Sequence, residues 1–138
     1  MKGYDPDFIE NRIKWRAGQH NVPYPRTNFW QHAPESIRQH LPDSFVRPVL
    51  FSQDRQGNST VIGTEELAVI EDGTAIRVLL DDIIDLSSPN IAEGKQKSHF
   101  CQLSVKTTSG DTLLPTEDGK GCFAVWNILL MLCRLRRK

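Results

Sequence analysis

The spacing of apolar residues predicts a helix near the start of the chain. Asp5 followed by Pro6 is typical of a helix N-terminus, because aspartate accepts hydrogen bonds from the free backbone N–H groups and proline fits the first turn. The apolar residues that follow at helical spacing are Phe8, Ile9, Ile13 and Trp15. Gly18 supplies a stop signal. We therefore predict a helix over residues 6–17 with these side chains on one apolar face.

Prolines shape the next segment, residues 19–47, which we call the strap. They are Pro23, Pro25, Pro34 and Pro42. Their spacing excludes long regular structure and leaves room for one short helix, near residues 35–41. The strap also carries Tyr24, Phe29 and Trp30, which disordered tails rarely contain. We therefore expect it to lie as an irregular segment across a folded core.

From Pro48 onward, short β-rich runs alternate with turn signals. The predicted strands, about seven in number, span residues 49–52, 60–63, 66–70, 74–80, 82–87, 100–105 and 112–116. Asp72-Gly73 is a strong signal for a tight hairpin turn, because both residues tolerate a positive φ. Strands first and a helix last indicate the α+β class rather than alternating parallel units.

The last predicted element is a helix from an N-cap near Asp118 to Leu135. Its segment 128–132 is apolar on every face, so one face is expected to pack on the sheet and the others must meet something else. The N-terminal helix and the strap are the intramolecular candidates. A partner protein, or a second copy of the chain forming a homodimer, is the alternative.

Composition narrows the setting. The chain has 138 residues, the size of one ordinary domain, and its 17 Lys and Arg residues balance 17 Asp and Glu residues. The chain therefore has no net positive charge that would attract nucleic acid, and we do not expect a nucleic-acid partner. Three cysteines without CxxC spacing, and no apolar leader, favour a soluble protein in the reducing cytoplasm. The longest apolar run, residues 122–135, is shorter than the roughly 20 residues that span a bilayer.

The sequence holds no recognisable catalytic or metal-binding constellation. Its histidines, His20, His32, His40 and His99, lie in polar segments without an HExxH motif or cysteines at zinc spacing. Asp81, Asp82 and Asp85 form an acidic cluster, but in a strand the first two point to opposite faces and cannot act on one atom. We expect no catalytic residues, no metal and no cofactor, and therefore not an enzyme.

Seven short strands followed by a helix containing Trp126 resemble the pleckstrin-homology-like superfold, including its bacterial and GRAM-type members. Thr64, Leu67, the Asp72-Gly73 turn and residues 79–83 also look like the stretch that links successive strands in that family. The resemblance covers residues 47–135. It implies a strongly bent antiparallel sheet or partly open barrel capped by the C-terminal helix, with Trp126 in the core. Residues 47–138 would be this domain, and residues 1–46 a helix and strap packed on it.

The best-known activity of that family, phosphoinositide binding, does not carry over. Lipid-binding members place several Lys and Arg residues in and beside the first hairpin, where they surround the anionic headgroup. Here that hairpin offers Arg55 beside Asp54. The loops expected at the same end add the acidic residues Glu71, Asp72 and Asp111, so this end would repel a phosphorylated lipid.

These observations favour a non-catalytic protein-interaction module, for example a bacterial immunity or adaptor protein. The candidate partner-binding residues are Tyr24, Phe29, Trp30, Lys95, Lys97, Arg134 and Arg136. The alternative is peripheral binding to an acidic lipid or membrane surface through the basic C-terminal end. A hydrolase of unrecognised type is a third hypothesis.

Overall fold

The computed structural model describes residues 1–89 and 100–137. Within these residues the helices are α1 (Pro6–Gln19), α2 (Glu35–Arg38) and α3 (Lys120–Arg136). The strands are β1 (Thr27–Phe29), β2 (Pro48–Gln53), β3 (Ser59–Gly63), β4 (Glu66–Glu71), β5 (Thr74–Leu79), β6 (Ile83–Ser87), β7 (Ser104–Thr107) and β8 (Gly110–Leu113). Single 3-10 turns follow β1 at Trp30–His32 and β5 at Leu80–Asp82.

The strands form two antiparallel sheets, one in the order β1-β2-β3-β4-β5 and the other in the order β6-β7-β8. The predicted α+β class, with antiparallel sheet between an N-terminal and a C-terminal helix, is confirmed. Within the described residues neither sheet closes into a barrel. The described strands number eight rather than seven, because three residues of the strap, Thr27–Phe29, pair with β2 as β1.

The predicted tight turn joins β4 to β5. Asp72 and Gly73 have φ angles of 50° and 79°, the left-handed conformation that a two-residue hairpin turn requires. Glu71 and Thr74 pair directly across it.

Helix α1 begins as the sequence predicts, with the Asp5 carboxylate accepting a hydrogen bond from the Asp7 N–H at 2.7 Å. It passes Gly18 and ends at Gln19, two residues later than expected. Its buried residues are Ile9, Ile13 and Ala17. The predicted apolar face was therefore too wide, since Phe8 and Trp15 lie on the flank of the helix and are largely exposed.

Helix α3 and helix α1 pack together on the inner face of the five-stranded sheet, where the main core lies. Its fully buried side chains include Ile9, Ile13, Leu50, Ile62, Leu67, Ile83, Leu103, Ile128 and Leu129. In the segment 128–132, Leu130 is half-buried and the other four side chains are buried. The chain's own elements therefore cover this apolar segment. Helix α3 begins at Lys120, close to the predicted start, but its N-cap is Gly119, with φ of 80°, rather than Asp118, and no side chain caps it.

The family resemblance implied that Trp126 lies in the core. The structure places it at the margin of the core instead. It is half-buried and lies against Phe100, with 6.4 Å between the ring centroids. The buried stripe of α3 is formed by residues at helical spacing, Val125, Ile128, Leu129 and Leu132. Trp126 is one position beyond that stripe and keeps one edge at the surface.

The strap takes a different path from the one predicted. Tyr24 and Phe29 pack against the main core, but Trp30 and the residues after it cross the outer face of the five-stranded sheet, away from α3. There a second buried cluster forms from Ala33, Ile37, Phe45, Phe51, Val61, Ala68 and Ile70. A Cβ on Gly63 would lie 2.6 Å from the Phe45 ring, so this position in β3 requires glycine. The outer sheet face is apolar too, and this explains why the strap is drawn to it.

Candidate functional site: a basic groove between the two long helices

A groove with a volume of about 300 Å³ runs between α1 and the C-terminal end of α3. We call it the basic groove. It is lined by Arg12, Trp15, Arg16, Met131, Arg134 and Leu135. Its walls are therefore arginine guanidinium groups, and its apolar surface comes from one indole ring and two aliphatic side chains.

Helical spacing places these side chains next to the core, where Met131 is buried and the other five are partly or largely exposed. On α1, residues 12, 15 and 16 follow the i, i+3, i+4 pattern along the flank beside the buried stripe. On α3, residues 131, 134 and 135 repeat the same pattern. Trp15 is 51% exposed, although tryptophan is among the residues that usually bury most of their surface. The groove is thus the open seam beside the packed helix pair.

Arg12 is held in place by stacking rather than by a hydrogen bond. Its guanidinium carbon lies 4.6 Å from the centre of the Trp15 ring, a cation–π contact. The Nε atoms of Arg12 and Arg16 are buried and donate to no acceptor among the described residues. These two atoms are not accessible from the groove, and it is the indole ring that orients the Arg12 guanidinium.

Arg16 is anchored at the other end of its guanidinium. Its Nη2 donates to Asn127 Oδ1 at 3.2 Å and its Nη1 to Gln19 Oε1 at 2.8 Å. Asn127 is in turn fixed by donating from Nδ2 to the Phe123 carbonyl at 2.9 Å. These contacts link α1 to α3 and set the width of the groove.

The acidic residues of α1 make their ion pairs outside the groove. Glu10 pairs with Lys14 at 3.1 Å, and Asp7 pairs with Arg47. Among the described residues, no carboxylate lies within ion-pair distance of Arg12, Arg16 or Arg134. The charge of the groove is therefore locally uncompensated, even though the whole chain is neutral.

The arginines of the basic C-terminal end, which the sequence presents as one cluster, make different contacts in the structure. Arg136 donates from Nη1 to the Leu80 carbonyl at 2.7 Å and from Nη2 to the Ile83 carbonyl. Arg137 donates to the Ile84 carbonyl at 3.2 Å. Arg136 therefore ties the end of α3 to the turn before β6 and to the first residue of β6, and Arg137 ties it to β6. Arg134 is exposed and faces the groove.

The other candidate residues do not gather into one patch. Tyr24 is half-buried and donates its hydroxyl to the His20 carbonyl. Trp30 is half-buried beneath the Arg38 guanidinium, 5.0 Å from its ring centre, and lines a shallow cavity with Phe29. Lys95 and Lys97 lie outside the described residues. Of the five candidates that the structure describes, Arg134 alone lines the basic groove.

Arg12 and Arg16 were not predicted as site residues from the sequence, and Trp15 was predicted to lie on the apolar face of α1. The sequence feature that could have revealed this site is the spacing of Arg12, Trp15 and Arg16. It places two arginines and one indole together on the flank of a helix. This spacing indicates a groove only once α3 is known to form the opposite wall.

A second cavity, also about 300 Å³, lies at the tip of the β2–β3 hairpin. It is lined by Asp54, Arg55, Gln56, Gln102, Leu113, Leu114, Pro115, Thr116 and Asp118. Two carboxylates and one guanidinium give it no excess of positive charge. The acidic cluster also changes character, because Asp81 and Asp82 lie in a 3-10 turn rather than in a strand.

No match to this chain was found among family models, curated proteins or solved structures. In the part of the chain that the structure describes, no helix is both long and apolar enough to cross a bilayer. Nor do the described His, Cys, Asp and Glu side chains form a group of three or more that could hold a metal ion.

Proposed function

We propose that this chain is a non-catalytic protein-interaction module that binds its partner through the basic groove. The observation that supports this most directly is the combination of an exposed Trp15 with three arginines that have no carboxylate partner among the described residues. Tryptophan and arginine are the residues that most often supply binding energy at protein interfaces. A groove built on two packed helices also holds these side chains in fixed positions before a partner arrives.

The architecture supports a pleckstrin-homology-like core for this module. The strands β2 to β8 number seven and are followed by α3, which is the element order expected of that family. Residues 1–46 add α1, and α1 supplies one wall of the groove. We propose that this addition turns a common scaffold into a specific binding protein, such as a bacterial immunity or adaptor protein.

Binding to an acidic lipid surface is the second candidate, and two observations make it the weaker one. Arg136 and Arg137 already donate to backbone carbonyls, so fewer cations are left for a membrane. The basic groove is a recess between α1 and α3, which the surface of a flat bilayer does not fill. A homodimer that joins two grooves is disfavoured because each copy would present the same three arginines.

The proposed function is tested by affinity capture from the source lysate with the immobilised full-length chain. The charge-reversal double variant Arg12→Glu/Arg134→Glu removes the groove's charge, and Arg55→Glu on the distant hairpin is the matched control. We expect the wild type and Arg55→Glu to retain the same protein and the double variant to lose it. A partner retained equally by all three would contradict the role of the groove.

Co-sedimentation with vesicles of phosphatidylcholine and phosphatidylserine tests the lipid alternative on the same three proteins. We expect none of them to bind at physiological salt. Binding by the wild type and by Arg55→Glu, but not by the double variant, would replace a protein partner by a membrane surface.

A further inference from the structure

We infer that the basic groove recognises an acidic segment of its partner, in which a carboxylate side chain lies next to an apolar one. This inference rests on the proposed function and names the chemistry of the ligand. It follows from the charge, the unused donors and the apolar surface of the groove.

Charge complementarity selects an anionic ligand. Three guanidinium groups line the groove, and none has a carboxylate partner among the described residues. A neutral or basic segment would bring no compensating charge to this site. A carboxylate suits it because two parallel N–H donors of arginine match its two oxygens.

The terminal nitrogens of the arginines are the donors that a carboxylate can reach. Arg16 already donates from Nη1 to Gln19 and from Nη2 to Asn127. Arg12 stacks on the Trp15 ring, and Arg134 is exposed. Both line the groove, so the carboxylate of a flexible Asp or Glu side chain can pair with their guanidinium groups.

The remaining surface requires an apolar neighbour. Trp15 is half-exposed, Leu135 on α3 is partly exposed, and Met131 is 9% exposed at the base of the groove. An apolar ligand side chain placed against this indole would remove exposed apolar area from water on both partners. The volume of about 300 Å³ is at the low end of ligand pockets, so a short segment rather than a large surface is the natural occupant.

Selection of short random peptides displayed on phage tests the inference on the full-length chain. Parallel selections use the wild type, Arg12→Glu/Arg134→Glu and the control Arg55→Glu. We expect the wild type and Arg55→Glu to enrich peptides with Asp or Glu beside Leu, Phe, Met or Trp, and the double variant not to enrich them. Affinity for an enriched peptide should fall at least about tenfold in Arg134→Glu, whose exposed position leaves the fold intact.

The possible outcomes distinguish the acidic nature of the ligand from the proposed role of the groove in binding. Enriched peptides without acidic residues that still require the intact groove would overturn the acidic ligand and leave the proposed function standing. Peptides that bind the wild type and the double variant equally, or no enrichment by any of the three, would overturn both. Equal affinity of an acidic peptide for the wild type and for Arg134→Glu would also overturn the inference.

Discussion

The two sides of helix α3 differ in burial and in charge. The inner side buries Ile128, Leu129 and Leu132 in the main core, where every atom of these side chains has a neighbour. The groove side carries Arg134, which is exposed and bonded to nothing among the described residues. Changes on the inner side should therefore alter the free energy of unfolding, whereas changes on the groove side should alter binding alone.

The largest effect is expected for Leu129→Ala, because Leu129 is fully buried and the truncation leaves a cavity. The free energy of unfolding should fall by about 2–5 kcal/mol. Urea unfolding followed by circular dichroism measures it. The matched control is Leu113→Ala on β8, where Leu113 is 56% exposed and the change should stay within about 0.5 kcal/mol. Equal losses in the two variants would remove the distinction between the core and the surface.

A second test of the inner side uses the Cys122 thiol at the start of α3. Burial raises the pKa of Cys122 from its ordinary value of 9.0 to about 11. The folded protein therefore keeps the proton longer than the unfolded chain does. This contribution is fully present below pH 9 and is lost as the pH rises toward 11, a difference of about 3 kcal/mol.

Unfolding titrations between pH 8 and about pH 11 check this for the wild type and Cys122→Ala. The wild type should lose stability more steeply over this range than the variant, because the variant has no thiol to ionise. Parallel pH profiles would show that the thiol ionises as readily in the folded protein as in the unfolded chain.

Substitutions of the C-terminal arginines should change the free energy of unfolding by smaller amounts, and by different amounts on the two sides of α3. Arg136→Ala removes the donors to the Leu80 and Ile83 carbonyls and should lower the free energy of unfolding by about 1–3 kcal/mol. Arg134→Ala, two residues earlier, should change it by no more than about 0.5 kcal/mol. Thermal unfolding of both variants and of the wild type measures these differences in stability. A larger loss for Arg134→Ala would mean that the roles of these two arginines have been exchanged.

The sequence predicts local features of this fold better than long-range placement. The Asp72-Gly73 turn and the Asp5 cap depend on a few neighbouring residues, and both are found where expected. The path of the strap depends on which apolar surface competes best for it. Both α3 and the outer sheet face offered one, and the spacing of residues 19–47 does not distinguish them.

The groove was only partly predictable for the same reason. Arg134 stood out as part of a basic end, but the division of labour between Arg134 and Arg136 follows from where the carbonyls of the turn before β6 lie in space. Arg12 and Trp15 line a groove only because α1 packs beside α3. A site formed between elements more than a hundred residues apart leaves little trace in either segment alone.

Nuclear magnetic resonance gives the most direct measurement of the central claim, that ligands bind in the basic groove. The chain has three tryptophans, Trp15, Trp30 and Trp126, and therefore three indole N–H signals. A titration with an acidic peptide selected on the intact chain should shift the Trp15 signal saturably, and Trp30, beneath Arg38 on the outer sheet face, should keep its position. A saturable shift of Trp30 with Trp15 unchanged would place binding on the strap and contradict the account.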